Sequence, residues 1–327
     1  TQNGPPELMR GARGACVSGM LQNEKNTRRE PKNRWVFPSN RHGACRRQMV
    51  ALEAKLLFIP TFKATMAQEQ TNDATLTGNV LFYKTPEPLS PEAHAGMGIK
   101  SVSAPHAFVA ETNVVPLTVA EFPAASLSFP IVFIGENYMP VAAMGLSAGQ
   151  NVFVSAEGTF KSDSYLPAFA RRYPFVFAND EGQERMILCV DTGANMVAKT
   201  NPDVPFFEGG KATPYVENAM QFCSDFENER RRTESFVGLL RELDLLSPRE
   251  TLYRPQNPDG TPGEAQKIAE YFAVDEKKLG DLSGDKLVEL RDNGALTHIY
   301  AHLNSLLAWD KLIAMTIERN AAAPVAN

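Results

Sequence analysis

Two consecutive arginines, Arg171 and Arg172, followed by Tyr173, stand out as residues able to do recognition chemistry. A guanidinium is a planar fork of N–H donors, suited to gripping a carboxylate or phosphate through two parallel hydrogen bonds. The plainer reading of the pair is a helix-to-strand corner with solvated or salt-bridged arginines. A second candidate is His298 with His302. Their four-residue spacing places both imidazoles on one face of a helix. That face could hold a metal, but a catalytic zinc needs a third protein ligand, and no glutamate follows His298 as in the metalloprotease motif. No metal and no cofactor are expected.

Two further motifs suggest hydrolysis and are set aside. Asp191-Thr192-Gly193 follows the apolar run Ile187 to Val190, the setting of an aspartic-protease triplet. That chemistry needs two carboxylates sharing one proton, and the sequence contains no second Asp-Thr-Gly or Asp-Ser-Gly. Asp191 is read instead as the cap of a strand-ending turn. Gly145-Leu146-Ser147-Ala148-Gly149 matches the nucleophile-elbow pattern, with Asp191 and His298 or His302 following in order. The elbow demands a helix directly behind the serine, whereas Asn151 to Val154 reads as strand, so a hairpin turn is expected.

These residues must be held by recognisable elements. Around the arginines, Pro167 suits the first turn of a short helix over Ala168 to Arg172, and Pro174 disfavours helical geometry at Tyr173. Phe175 to Phe177 then has the content of a buried strand. Tyr173 and Phe175 are expected in the core. Neighbouring helix positions lie about 100° apart, so one arginine should face the protein and the other solvent. The inward one should be paired, with Asp191 or the Glu227–Glu234 cluster as partner.

Before residue 190 the chain reads as short strands and turns: near 80–83, 99–110, Phe129 to Ile134, Val141 to Leu146, Val152 to Val154 and Met186 to Val190. Pro116 is read as opening a short helix, Leu117 to Ala125. After residue 213 helices dominate. Thr213-Pro214 starts one that runs to about Leu243, with a break near 230 as an option, and Ser247 to Glu250 fits a capping box. Tyr271 to Val274 is a last short strand. Short helices start at Asp275 and Ser283, and a final one spans Leu296 to Ile317. The expected class is α+β, a mainly antiparallel sheet from the first half covered by helices from the second.

Charge divides the chain. Residues 1–65 carry a net charge of +8 and residues 66–327 a net of −13, giving −5 over 327 residues. An acidic body of that size argues against nucleic acid as a partner. The four cysteines have no metal-ligand spacing and fit reduced thiols. Residues 1–65 are read as a non-native or disordered leader ahead of Met66, with a cleaved transit peptide and a nucleic-acid arm as alternatives. Residues 66–98 are a polar tail, 99–318 one domain and 319–327 a disordered end. No apolar run approaches the roughly 20 residues a membrane helix needs.

Ordered segments across residues 105–315 resemble the SapC family of bacterial proteins. They include Phe129 to Phe133, Tyr165 to Phe169 with Arg171 to Phe175, Leu188 to Asp191, Thr213 to Val216, Glu242 to Leu246, Val274 to Leu279 and Ile299 to Leu303. Where the family usually has an acidic residue after Val-Asp, this chain has Thr192, which makes the protease-like triplet a coincidence. The resemblance implies a protein named for a surface-layer locus, with no established catalytic residues to carry over. It implies an accessory role in the cytoplasm with an envelope association, acting on a protein partner of the envelope or surface layer. The alternative is an enzyme, metal-dependent or not, acting on peptide or amino-acid substrates, with the histidine face or the arginine corner in its pocket.

Overall fold

The computed structural model describes residues 81–179, 186–255 and 260–322. The expected leader over 1–65, residues 66–80 of the polar tail and residues 323–327 lie outside the described residues. In chain order the main strands are β1 (Pro86–Pro88), β2 (Val114–Pro116), β3 (Ile131–Ile134), β4 (Met139–Ala143), β5 (Phe175–Asn179), β6 (Met186–Asp191), β7 (Leu246–Tyr253) and β8 (Gln266–Val274). The helices are α1 (Phe122–Ala125), α2 (Ala168–Arg171), α3 (Pro214–Glu242), α4 (Glu276–Gly280), α5 (Gly284–Asp292), α6 (Ala295–Ser305) and α7 (Trp309–Ala322).

The class is α+β, and the described strand pairs are antiparallel. The largest sheet has the order β7-β8-β3-β4-β2, and a second has the order β1-β6-β5. Thus two strands of the main sheet come from the second half of the chain. β3 and β4 are apolar on both faces, and β3 is buried throughout, as expected of strands covered on both sides. Phe122, Phe129, Phe133, Phe236, Leu240, Ile299 and Trp309 join them in one large core. A smaller cluster gathers Phe175, Leu188, Val190, Phe206, Val216 and Cys223 where β5 and β6 meet α3.

Several local expectations give way to tertiary pairing. Pro116 closes β2 opposite Val141, and the helix expected from Leu117 starts later, as a 3-10 turn at Val119–Glu121 that runs into α1. As an edge strand, β2 tolerates the missing N–H. Residues 152–154 form a turn with a single bridge from Val154 to Phe160. The Asn151 side chain fixes that turn, Nδ2 donating to Val109 O at 3.2 Å and Oδ1 accepting from Phe153 N at 3.0 Å. Ser247 to Glu250 is extended in β7, paired along β8, which is twice the length expected of it. Proline and exposed charge on this outer strand suit a sheet edge. The strand expected near 80–83 lies at β1, and the final helix is divided by a short 3-10 turn at Leu306–Ala308. Helix α3 is unbroken over 29 residues, roughly 43 Å at 1.5 Å per residue.

Candidate functional site

The arginine corner is assembled by α2, α3 and the segment ahead of β1. Pro167 takes the position before the first residue of α2, and the Ala168 N–H donates to Glu121 Oε1 at 2.6 Å. Tyr173 and Phe175 are buried, and the peptide between Tyr173 and Pro174 is cis. The two arginines point differently, as the helical offset requires: Arg171 is exposed, whereas Arg172 retains 7% exposure. Facing them on α3 are Phe222 and Phe226, one turn apart. Arg171 Cζ lies 5.4 Å from the Phe222 ring centre and 5.5 Å from that of Tyr165. Arg172 Cζ lies 4.6 Å from Phe226, 4.2 Å from Phe169 and 6.0 Å from Tyr83.

Among the described residues the inward arginine therefore has no carboxylate partner, contrary to the sequence expectation. Among the described residues neither Arg171 nor Arg172 makes an ion pair, and the buried Arg172 Nε has no hydrogen-bond partner. Aromatic π-faces take the place of a counter-ion. A guanidinium suits this role because it is more weakly hydrated than an ammonium and stacks on rings. Glu227, Arg230 and Glu234 pair among themselves on α3, which leaves that cluster engaged away from the corner.

Asp191 is likewise committed. Its carboxylate accepts from Thr85 N at 2.8 Å, Lys84 N and Gly193 N at 3.0 Å, and the Tyr173 hydroxyl at 3.1 Å. It thus pins the bend preceding β1 to the end of β6, a capping role and not that of a water-activating acid. Burial, and then the charge of Asp191, pushes the Tyr173 hydroxyl well above the usual tyrosine range. Burial also raises Tyr83, which donates to Phe175 O at 2.6 Å. Glu121 is buried and accepts from Thr118 N at 2.8 Å, Thr118 Oγ1 at 2.9 Å and Tyr165 Oη at 3.0 Å, besides Ala168 N. Arg171 Nη2 donates to the same Tyr165 hydroxyl at 2.9 Å. Burial, helped by Glu121, raises Tyr165 to about 12.

The two histidines of this face are engaged differently. His302 is buried, with Nδ1 donating to Ile131 O at 2.9 Å and Nε2 accepting from Val274 N at 3.1 Å. Both nitrogens are consumed by backbone, and burial pushes the ring down to about 4. His298 packs edge-on against Phe122 and Phe236. Its buried Nδ1 has no hydrogen-bond partner, and burial, then Arg232, lowers its pKa. Among the described residues no group of three or more His, Cys, Asp or Glu is placed to hold a metal ion. Ser147 sits in a turn closed by the Gln150 N–H on Ser147 O at 3.2 Å, with no helix behind it.

Tyr83, Phe222 and Phe226 are the corner residues that sequence reasoning did not assign. The four-residue spacing of the two phenylalanines on α3 was visible, but nothing local tied them to the arginines. Tyr83 lay in the stretch read as tail. No helix among the described residues is long and apolar enough to cross a membrane. A sequence model of one protein family, SapC, matches residues 89–312, a span holding the arginines, α3 and both histidines. No curated protein and no solved structure matches the chain.

Proposed function

This chain belongs to the SapC family, and we propose that it works by binding, as an accessory protein that engages a surface-layer or envelope protein from the cytoplasm through the Arg171/Arg172 corner. The observation that carries this reading is the pair of adjacent arginines, one buried, with no carboxylate partner among the described residues. The chain around them holds 34 acidic against 21 basic residues from position 66 onward. A cationic spot left unneutralised in such surroundings favours an acidic partner. The groups that would serve catalysis have other work: Asp191 and His302 hold backbone N–H groups.

The enzyme reading keeps one supporting observation, the buried His298 Nδ1 without a partner. Affinity capture from a native-host extract separates the two. Wild-type protein is expected to retain an envelope protein that Arg171→Gln and Arg172→Met both lose while remaining folded. Capture that is indifferent to both substitutions, with stoichiometric metal in the purified protein, would turn the reading toward an enzyme.

A further inference from the structure

Resting on that binding reading, we infer that the group received at the corner is a carboxylate, presented by an acidic side chain of the partner. Among the described residues Arg172 lacks a counter-ion, and its buried Nε lacks a hydrogen-bond partner. A charged group so far out of water carries a large desolvation cost, which an opposite charge with good geometry can offset. The rings of Phe169, Phe226 and Tyr83 return only part of this through cation–π contact. An anion at the guanidinium edge completes the compensation.

Among the described residues no carboxylate supplies that anion. The two buried carboxylates near the corner each hold four donors: Glu121 two backbone N–H groups and two hydroxyls, Asp191 three backbone N–H groups and one hydroxyl. Neither can swing to Arg172 without orphaning those donors, and a buried donor left unsatisfied is costly. Only Arg171 touches this system, through the Tyr165 hydroxyl shared with Glu121. One hydrogen bond leaves the remaining N–H groups of Arg171 available, because a guanidinium carries five donors.

The donor set favours a carboxylate over a phosphate. Phosphate sites draw on helix N-termini and free backbone N–H groups. Here the arginines stand at the C-terminal end of α2, where Arg171 is the last residue and the Arg172 N–H is already bonded to Ala168 O. A carboxylate asks for two coplanar N–H donors, which one guanidinium edge provides. The surrounding rings suit the methylene stem of an acidic side chain and exclude water, which strengthens the pairing.

The test uses the full chain and a fluorescein-labelled hexaglutamate peptide, read by anisotropy at about 50 mM salt, where screening is weak. Wild type is expected to bind it, with hexaglutamine inert and inorganic phosphate a poor competitor. Arg171→Gln and Arg172→Met should each weaken binding about tenfold or more, the loss of one charge-assisted bond. Arg291→Gln, an exposed arginine paired with Asp292, should change nothing. If Arg172→Met loses its near-ultraviolet dichroism, Arg172→Lys replaces it: charge is kept, the fork is lost, and the same loss of binding is expected. No binding by wild type, equal binding by the variants, or displacement by phosphate at lower concentration than by free glutamate would each overturn the carboxylate. Should capture of the envelope partner still depend on the corner in that event, the binding reading survives alone. If capture is also indifferent, both readings fall.

Discussion

Protonation of His302 should make the fold acid-sensitive in a narrow and calculable way. The ring is sealed in the core, and its two nitrogens join Ile131 O to Val274 N. It must accept at Nε2, so only the neutral form fits. Its pKa is about 4 in the folded protein and about 6.5 in an unfolded chain. The folded value lies below the unfolded one, so the unfolded chain binds the proton first. The stability is therefore fully present above about pH 6.5 and is lost as pH falls from 6.5 toward 4. At 1.36 kcal/mol per pH unit, the loss is about 2 kcal/mol at pH 5 and roughly 3 at pH 4. His302→Gln removes the titration and is expected to cost about 1–3 kcal/mol at pH 7.5 for an imperfectly replaced hydrogen-bond pair. Urea unfolding at pH 7.5, 6 and 5 would measure both proteins. Their stability difference should shrink by about 2 kcal/mol between pH 7.5 and 5. A difference that stays constant with pH would refute the reasoning, because it would mean that His302 is not held neutral by its site.

Asp191→Asn should lower stability by about 2–3 kcal/mol, since an amide would present N–H to a backbone N–H donor; thermal unfolding is expected some 4–10 °C lower, and no peptide cleavage at acid pH should be seen in wild type. Arg171→Ala should cost under about 1 kcal/mol and Arg172→Ala about 2–3, whereas Arg172→Met should be near neutral because it keeps the packing and removes the unpaired charge; equal losses in the two alanine variants by urea unfolding would contradict the geometry. Gly145→Ala should be severely destabilising, as an added Cβ would lie 1.8 Å from Gln150 O, while Ser147→Ala should stay within about 0.5 kcal/mol; the opposite ranking in thermal melts would revive the serine.

Much of the corner was legible in the sequence because its determinants are local. Pro167 and Pro174 bracket α2, the aromatic run sets β5, and helical geometry separates Arg171 from Arg172. Helix α3 was equally plain from Thr213-Pro214 and its apolar stripe. What escaped depends on distant neighbours. Ser247 to Glu250 carries the local chemistry of a helix start, yet β8 offers it a ladder to pair with, and pairing prevails. Charge count points to an acidic partner for Arg172. The partners found are rings brought in from positions 83, 169 and 226, and no local pattern announces a cation–π contact.

The order of strands in the main sheet also sets a schedule for synthesis. β3 is bordered on one side by β8, and Phe133 meets Phe272 there, about 140 residues later in the chain. At ribosomal rates of about 5–20 residues per second, that edge of β3 waits on the order of ten seconds or more for its neighbour. His302, which fastens Ile131 to Val274, arrives later still. Throughout that interval a fully apolar strand stands with one side unpaired. A nascent chain of this architecture is thus a natural client for chaperones that shield strand edges, and any messenger that stops short of β8 yields a product prone to aggregate.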